Sequence, residues 1–197
     1  MEKDNSKKKK NKNWFTEYLR WPLIVLVVSL FLSFSFSFFS ELALNDANLV
    51  IAISVIVVFM FISVVTDIIG VAITAAVEVP FRAMAAKKVR GAKESIILIN
   101  NADKVASIVA DILGDICSIL SGAAGAVVTA KLISGIVDEM TVIMMASIVS
   151  AVIAGIIIFG KAFGKRIALD NCDNIVLMLG KIVYVFTFGK LSLKNKN

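Results

Sequence analysis

The chain has 197 residues, of which 58% are hydrophobic, and 21 Lys and Arg against 15 Asp and Glu give it a net charge of +6. Charged residues make up only 18%, against about a quarter in a soluble domain, which excludes an ordinary soluble class. The chain has no histidine, which excludes His-based metal sites and Ser-His-Asp catalysis, and it has no glycine-rich phosphate loop. We therefore predict a membrane protein that is not an enzyme.

Four apolar segments follow one another, and each reaches the roughly 20 residues that a bilayer-spanning helix needs. They are residues 21–39, 49–77, 105–130 and 140–160. The first exceeds the apolar run of about 7–15 residues in a cleaved signal peptide, so it is predicted to stay as an anchor. The predicted fold class is an all-α membrane protein with four transmembrane helices and a C-terminal amphipathic juxtamembrane helix.

Basic residues are distributed asymmetrically about these segments. If the N-terminus is cytoplasmic, every Lys and Arg except Lys131 lies in residues 1–20, 78–104 or 161–197. The positive-inside rule then predicts a multi-pass cell-membrane protein with both termini in the cytoplasm. Three parts result: a basic N-terminus, a transmembrane domain over residues 21–160, and a juxtamembrane helix with a basic tail. Lysine runs beside a span contact anionic lipid, so we expect membrane lipids rather than nucleic acid as partners.

Polar residues recur at helical spacing inside the second and third spans, which places each set on one helix face. The second span carries Ser63, Asp67, Gly70, Thr74 and Glu78, and the third carries Ser107, Asp111, Asp115, Ser118 and Gly122. Small and hydroxylated residues favour close helix packing, whereas a carboxylate costs about 2.5–3.5 kcal/mol at the bilayer centre. The acids are therefore expected to face the bundle interior, either as protonated or hydrogen-bonded packing groups or as ligands along a cation path. Oxygen ligands suit hard cations such as Mg²⁺.

Three stretches also carry short motifs. ITAAVEVPFRAMAAKKVRGAKE (residues 73–94) places Glu78 before a basic segment, and LINNADKVASIVADILGDICSIL (residues 98–120) contains the pair Gly114 and Asp115. FGKAFGKRIA (residues 159–168) ends the fourth span. Together, these stretches resemble the transmembrane domain of the CorC/cyclin M (CNNM) family of magnesium transport proteins, with Asp115 where the family has Asn and Gly164 where it has Pro.

The resemblance implies a dimeric domain that holds Mg²⁺ between its helices, followed by a juxtamembrane belt helix over residues 165–186. With the polar stripes, it implies divalent cation transport. The expected metal ligands are Glu78, Asp111, Asp115 and Gly160, the last through a backbone carbonyl at a helix end. A coupling cation such as Na⁺ is expected at Asp67, Ser63 and Thr74.

Lys161 stands where the family has a ligand-bearing Glu. Exchanging a carboxylate about 4 Å from a divalent ion for an ammonium changes the interaction by roughly 16 kcal/mol at an effective dielectric near 20, an upper-end figure because lysine can extend away. The predicted function is divalent cation transport, in which Asp111 and Asp115 compensate for Lys161. The first alternative is a non-transporting accessory or scaffold subunit, in which Lys161 pairs with an acid and the protein forms a homodimer or joins another membrane protein. The second alternative is a proton-linked carrier that uses Asp67 and Asp111.

Overall fold

The computed structural model describes residues 2–45, 48–133 and 138–186, with side chains from residue 20 onward except residues 41 and 43–45. Within these ranges the chain is helical without any strand, which confirms the all-α prediction. The elements are α1 (Glu2–Asn45), α2 (Leu49–Ala75), α3 (Glu78–Ala86), α4 (Ala92–Asn100), α5 (Ala102–Ala106), a π-helical segment (Ser107–Gly114), α6 (Asp115–Ile133), α7 (Glu139–Asp170) and α8 (Cys172–Phe186).

Four helical stretches are long and apolar enough to cross a membrane, as the sequence predicts. They are Arg20–Ser40, Leu49–Ala75, Ala102–Ile133 and Glu139–Asp170. The third is continuous through α5, the π-helical segment and α6. The fourth continues well past the predicted end at residue 160, because no proline interrupts residues 161–170. At its start, Asp138 caps the helix by accepting a hydrogen bond from the Thr141 backbone N–H at 2.9 Å.

The central element is α2, which packs against both α6 and α7. A cluster of buried residues joins the three helices near the end of α2 that begins at Leu49: Ala52 and Ile56 of α2, Ala124 and Val128 of α6, and Ile153 and Ile157 of α7. By contrast, α1 lies at the periphery and packs on the third span through half-buried Val25 and Leu32. Its five phenylalanines between residues 31 and 39, including Phe31 and Phe34, face outward. Three spans therefore form the bundle, and α1 is attached to its side.

The helix of the second span ends at Ala75, so the prediction that one helix runs to Val77 and carries Glu78 on its polar stripe is wrong. Ala76 and Val77 have extended backbone conformations, with ψ of 141° and 139°. Pro80 gives the reason, because a proline ring clashes with the carbonyl group four residues earlier, here that of Ala76, when the helix is continuous. Pro80 instead lies in the first turn of α3, where proline is tolerated.

A second cluster of buried residues joins the far ends of α2 and α7 to α3 and α8, and includes Ile73, Phe81, Ala168 and Val176. The predicted belt over residues 165–186 is divided: α7 continues to Asp170, and α8 begins at Cys172 after a turn. Val176 and Gly180 of α8 are buried, whereas Met178, Ile182 and Val185 are exposed. That α8 lies along a membrane surface stays a prediction.

A close contact between α4 and α8 lies beside this second cluster. Gly91, which precedes α4, has φ of +86°, a conformation that favours glycine. The hydroxyl oxygen of Ser95 lies 2.9 Å from the carbonyl oxygen of Gly91 and 3.0 Å from that of Val176. A Cβ atom at Gly180 would overlap both Ser95 and Gly91. The missing side chain at Gly180 therefore lets the two helices meet backbone to backbone.

Candidate functional site

The third span contains the π-helical segment Ser107–Gly114, which includes Asp111. Such segments are rare and are frequently found at functional sites. Here the segment packs against a strip of small residues on α2. A Cβ at Gly70 would lie 2.5 Å from the Cβ of Ala110, and one at Gly114 would lie 2.9 Å from the hydroxyl of Thr66. The two spans thus approach each other closely where the polar stripes predict a site.

Ser63 joins the second and third spans through its hydroxyl group. Its Oγ is buried and lies 2.8 Å from the carbonyl oxygen of Gly114 and 2.7 Å from the hydroxyl of Ser118. Ser118 Oγ is itself 2.9 Å from the same carbonyl oxygen. Gly114 ends the π-helical segment, so its carbonyl oxygen receives side-chain hydroxyls where the backbone hydrogen-bond pattern changes. Ser63, predicted as a coupling-ion ligand, is thus part of an interhelical hydrogen-bond network.

Asp115 and Lys161 form an ion pair between α6 and α7. The ammonium nitrogen of Lys161 lies 3.1 Å from Oδ1 of Asp115. The Lys161 side chain is only 20% exposed, whereas that of Asp115 is 66% exposed. Lone charges in membrane-embedded helices are costly and commonly pair with one another. Lys161, which stands where a ligand Glu is expected, therefore pairs with Asp115, one of the predicted metal ligands.

Asp67 and Asp111 have different surroundings. Asp67 is half-buried, and its Oδ2 is enclosed without a hydrogen-bond partner among the described residues. It lies on α2 between Ser63, which faces α6, and Ile68, which contacts Gly164 of α7. Asp111 is exposed. Of the two aspartates, Asp67 is the one with an enclosed carboxylate oxygen for which the described residues supply no hydrogen-bond donor.

Glu78, Thr74 and Gly160 have local roles. Glu78 begins α3 and accepts a hydrogen bond from Nη2 of Arg82 at 3.1 Å, and this bond lowers the pKa of Glu78. Thr74 donates within its own helix, to Val71 at 3.0 Å or Gly70 at 3.2 Å. Gly160 lies inside α7, so its expected position at a helix end is wrong, and its missing side chain accommodates Val64.

The structure brings two sets of the expected site residues together: Ser63 with Ser118 and Gly114, and Asp115 with Lys161. In the described ranges, no three of the Asp, Glu and Cys side chains form a group that could hold a metal ion. Mg²⁺ often uses only one or two carboxylates together with water, so the magnesium site stays a prediction.

The burial of one acidic residue, Glu94, is not predicted by the sequence. Glu94 lies in the basic stretch after the second span, yet it is only 2% exposed, and its Oε1 has no hydrogen-bond partner among the described residues. Its neighbour Ser95 binds the backbone of Val176, 81 residues further along the chain. Burial of this stretch depends on α8, a distant contact that local composition does not reveal.

No family model, no curated protein and no solved structure matches this chain. The fold therefore defines the class: a helical protein with four helices able to cross a membrane, compatible with a multi-pass membrane protein. Among the described residues, Ser63 joins the second span to the third through a polar contact, and Lys161 joins the fourth span to the third.

Proposed function

We propose that the protein is a non-transporting scaffold or accessory subunit of the cell membrane, with both termini in the cytoplasm. It acts as a homodimer or together with another membrane protein. Its membrane-embedded polar residues fix the packing of the helices instead of conducting an ion. The observation that carries the proposal is the 3.1 Å ion pair between Lys161 and Asp115.

The ion pair opposes cation binding at this place for an electrostatic reason. A divalent ion about 4 Å from an ammonium group is repelled by roughly 8 kcal/mol at an effective dielectric near 20, an upper-end figure. Asp115 is already neutralised by Lys161, so it offers little compensating attraction. The hydroxyls of Ser63 and Ser118 interact with each other. These groups together support a packing role for the polar contacts that join the second span to the third and the third span to the fourth.

Reconstituted vesicles test the proposal through Mg²⁺ flux. We expect the wild-type protein to give the flux of protein-free vesicles, and Lys161→Glu to raise it, because the substitution replaces the repelling ammonium with a carboxylate. Lys165→Glu is the matched control: it makes the same charge change one helical turn further along, outside the observed ion pair, and should leave the flux at background. Wild-type flux above background that disappears in Asp115→Ala would overturn the scaffold proposal.

Divalent cation transport is the second candidate. It is favoured by Oδ2 of Asp67, which has no hydrogen-bond partner in the part of the chain that the structure describes. Burying a carboxylate oxygen without a partner is unfavourable, and a bound cation would offset that cost. Under this candidate, Mg²⁺ raises the Tm of the detergent-solubilised protein, and Asp67→Asn removes the shift while Asp111→Asn at the exposed position keeps it. Titrations with Na⁺ and Co²⁺ report selectivity. A wild-type Tm that does not respond to Mg²⁺ removes this candidate.

A further inference from the structure

An open groove runs along the outside of the bundle between α6 and α7. One half has a volume of about 380 Å³ and is lined by small and apolar residues, including Gly122, Ser150, Ala154 and Ile158. A second cavity of about 380 Å³ continues it past Ser150 towards the other end of the two helices. The groove exists because α6 presents small residues here: apart from the adjoining part of its own helix, no described atom lies within 4 Å of where a Cβ at Gly122 would be.

The first half of the groove has charged residues at one end only, where Asp115 and Lys161 form their ion pair. Eleven residues separate Ser150 from Lys161, which corresponds to about 16 Å of helix. Half of a hydrocarbon core roughly 30 Å thick is about 15 Å. The apolar half-groove therefore has about the length of one bilayer leaflet, with its charged residues at one end.

Lys165 continues the lining face of α7 beyond the ion pair. Ala154, Ile158, Lys161 and Lys165 succeed one another at intervals of four, three and four residues, so they share one helix face. Asp115 neutralises Lys161, whereas Lys165 is exposed and adds a positive charge one turn further out. Arg166 is equally exposed but lies on another face of α7.

We infer that the groove binds one anionic phospholipid from the leaflet on the side of Lys161. An acyl chain lies between α6 and α7 over Gly122 and Ala154, and the headgroup phosphate contacts Lys165. The apolar length fits a single acyl chain, and the basic residue at the headgroup end complements the phosphate. This lipid site is independent of the scaffold function proposed above, because a lipid could bind in the groove whether or not the protein conducts an ion.

Native mass spectrometry of the purified full chain in a non-ionic detergent tests the site, with dioleoyl phosphatidylglycerol and dioleoyl phosphatidylcholine as probes. We expect the wild type to retain one phosphatidylglycerol in preference to phosphatidylcholine. Gly122→Leu fills the groove and should abolish this preference. Gly155→Leu is the matched control, because Gly155 also has open space around it but is not among the groove-lining residues.

A second pair of variants tests the headgroup contact without touching the packed bundle. Lys165→Gln should weaken phosphatidylglycerol retention about fivefold, the value of one basic residue at an anionic surface, and Arg166→Gln should leave it unchanged. Equal retention of the two lipids by the wild type, or equal effects of Lys165→Gln and Arg166→Gln, would overturn the inference. Disulfide-linked dimers of Gly122→Cys in membranes, with Cys117 and Cys172 changed to serine, would overturn it in favour of a second copy in the groove.

Discussion

Gly180→Ala is expected to lower the free energy of unfolding by about 3 kcal/mol, the upper end of the usual effect of overpacking. The new Cβ would overlap the hydroxyl of Ser95 and the carbonyl oxygen of Gly91. Gly91 is held in a left-handed conformation, and its backbone cannot move without separating α4 from α8. The Tm should fall by about 6–12 °C for a chain of this size. Circular dichroism of the detergent-solubilised protein measures the change.

Gly155→Ala is the control for Gly180→Ala. Gly155 lies in α7, and outside the adjoining part of that helix no described atom is within 4 Å of the position that a Cβ would take, so alanine meets no obstacle there. Alanine is a better helix former than glycine by about 1 kcal/mol, so Gly155→Ala should leave the Tm unchanged or raise it slightly. Equal Tm values for the two variants would contradict a close contact between α4 and α8.

The spans could be predicted because the property that defines them is local. A run of apolar residues is visible without knowing any neighbour, and all four runs form helices in the structure, the second as far as Ala75. The break after Ala75 was also visible in principle, since Pro80 forbids a helix that continues through Ala76. Residue spacing alone predicts a polar face that continues across that break to Glu78, because spacing carries no information about where the helix ends.

The candidate site was less predictable, because it depends on backbone detail and on distant partners. Asp111 lies in a π-helical segment, whose wider turn changes the direction of side chains relative to the 3.6-residue period that the stripe assumes. That Lys161 would pair with an acid was one of the sequence-based alternatives. Lys161 pairs with Asp115 because of the way α6 packs on α7. The two residues are 46 positions apart, so residue spacing could not predict this contact.

Lys161→Met is expected to destabilise the bundle by about 1–2 kcal/mol. Removing one partner of a fully buried ion pair costs about 3–5 kcal/mol, because the other charge is left unpaired. Asp115 is 66% exposed, so part of that cost is relieved. Asp115→Asn should have an effect of similar size, since it leaves the less exposed ammonium of Lys161 without its carboxylate. The Tm and the denaturant midpoint of the solubilised variants report both losses.

The double variant Lys161→Met with Asp115→Asn distinguishes an ion pair from two independent contributions. It contains neither charge, so its stability should return close to that of the wild type. The coupling energy between the positions is then about 2–4 kcal/mol, the sum of the two single losses. Glu78→Gln with Arg82→Met is the comparison cycle for a pair four residues apart within one helix, and it should show a smaller coupling of about 0.3–0.5 kcal/mol. If the Lys161 and Asp115 effects simply add, the ammonium does not hold the third span to the fourth. Asp115 would then be free to serve a cation, and the transport candidate would gain at the expense of the scaffold.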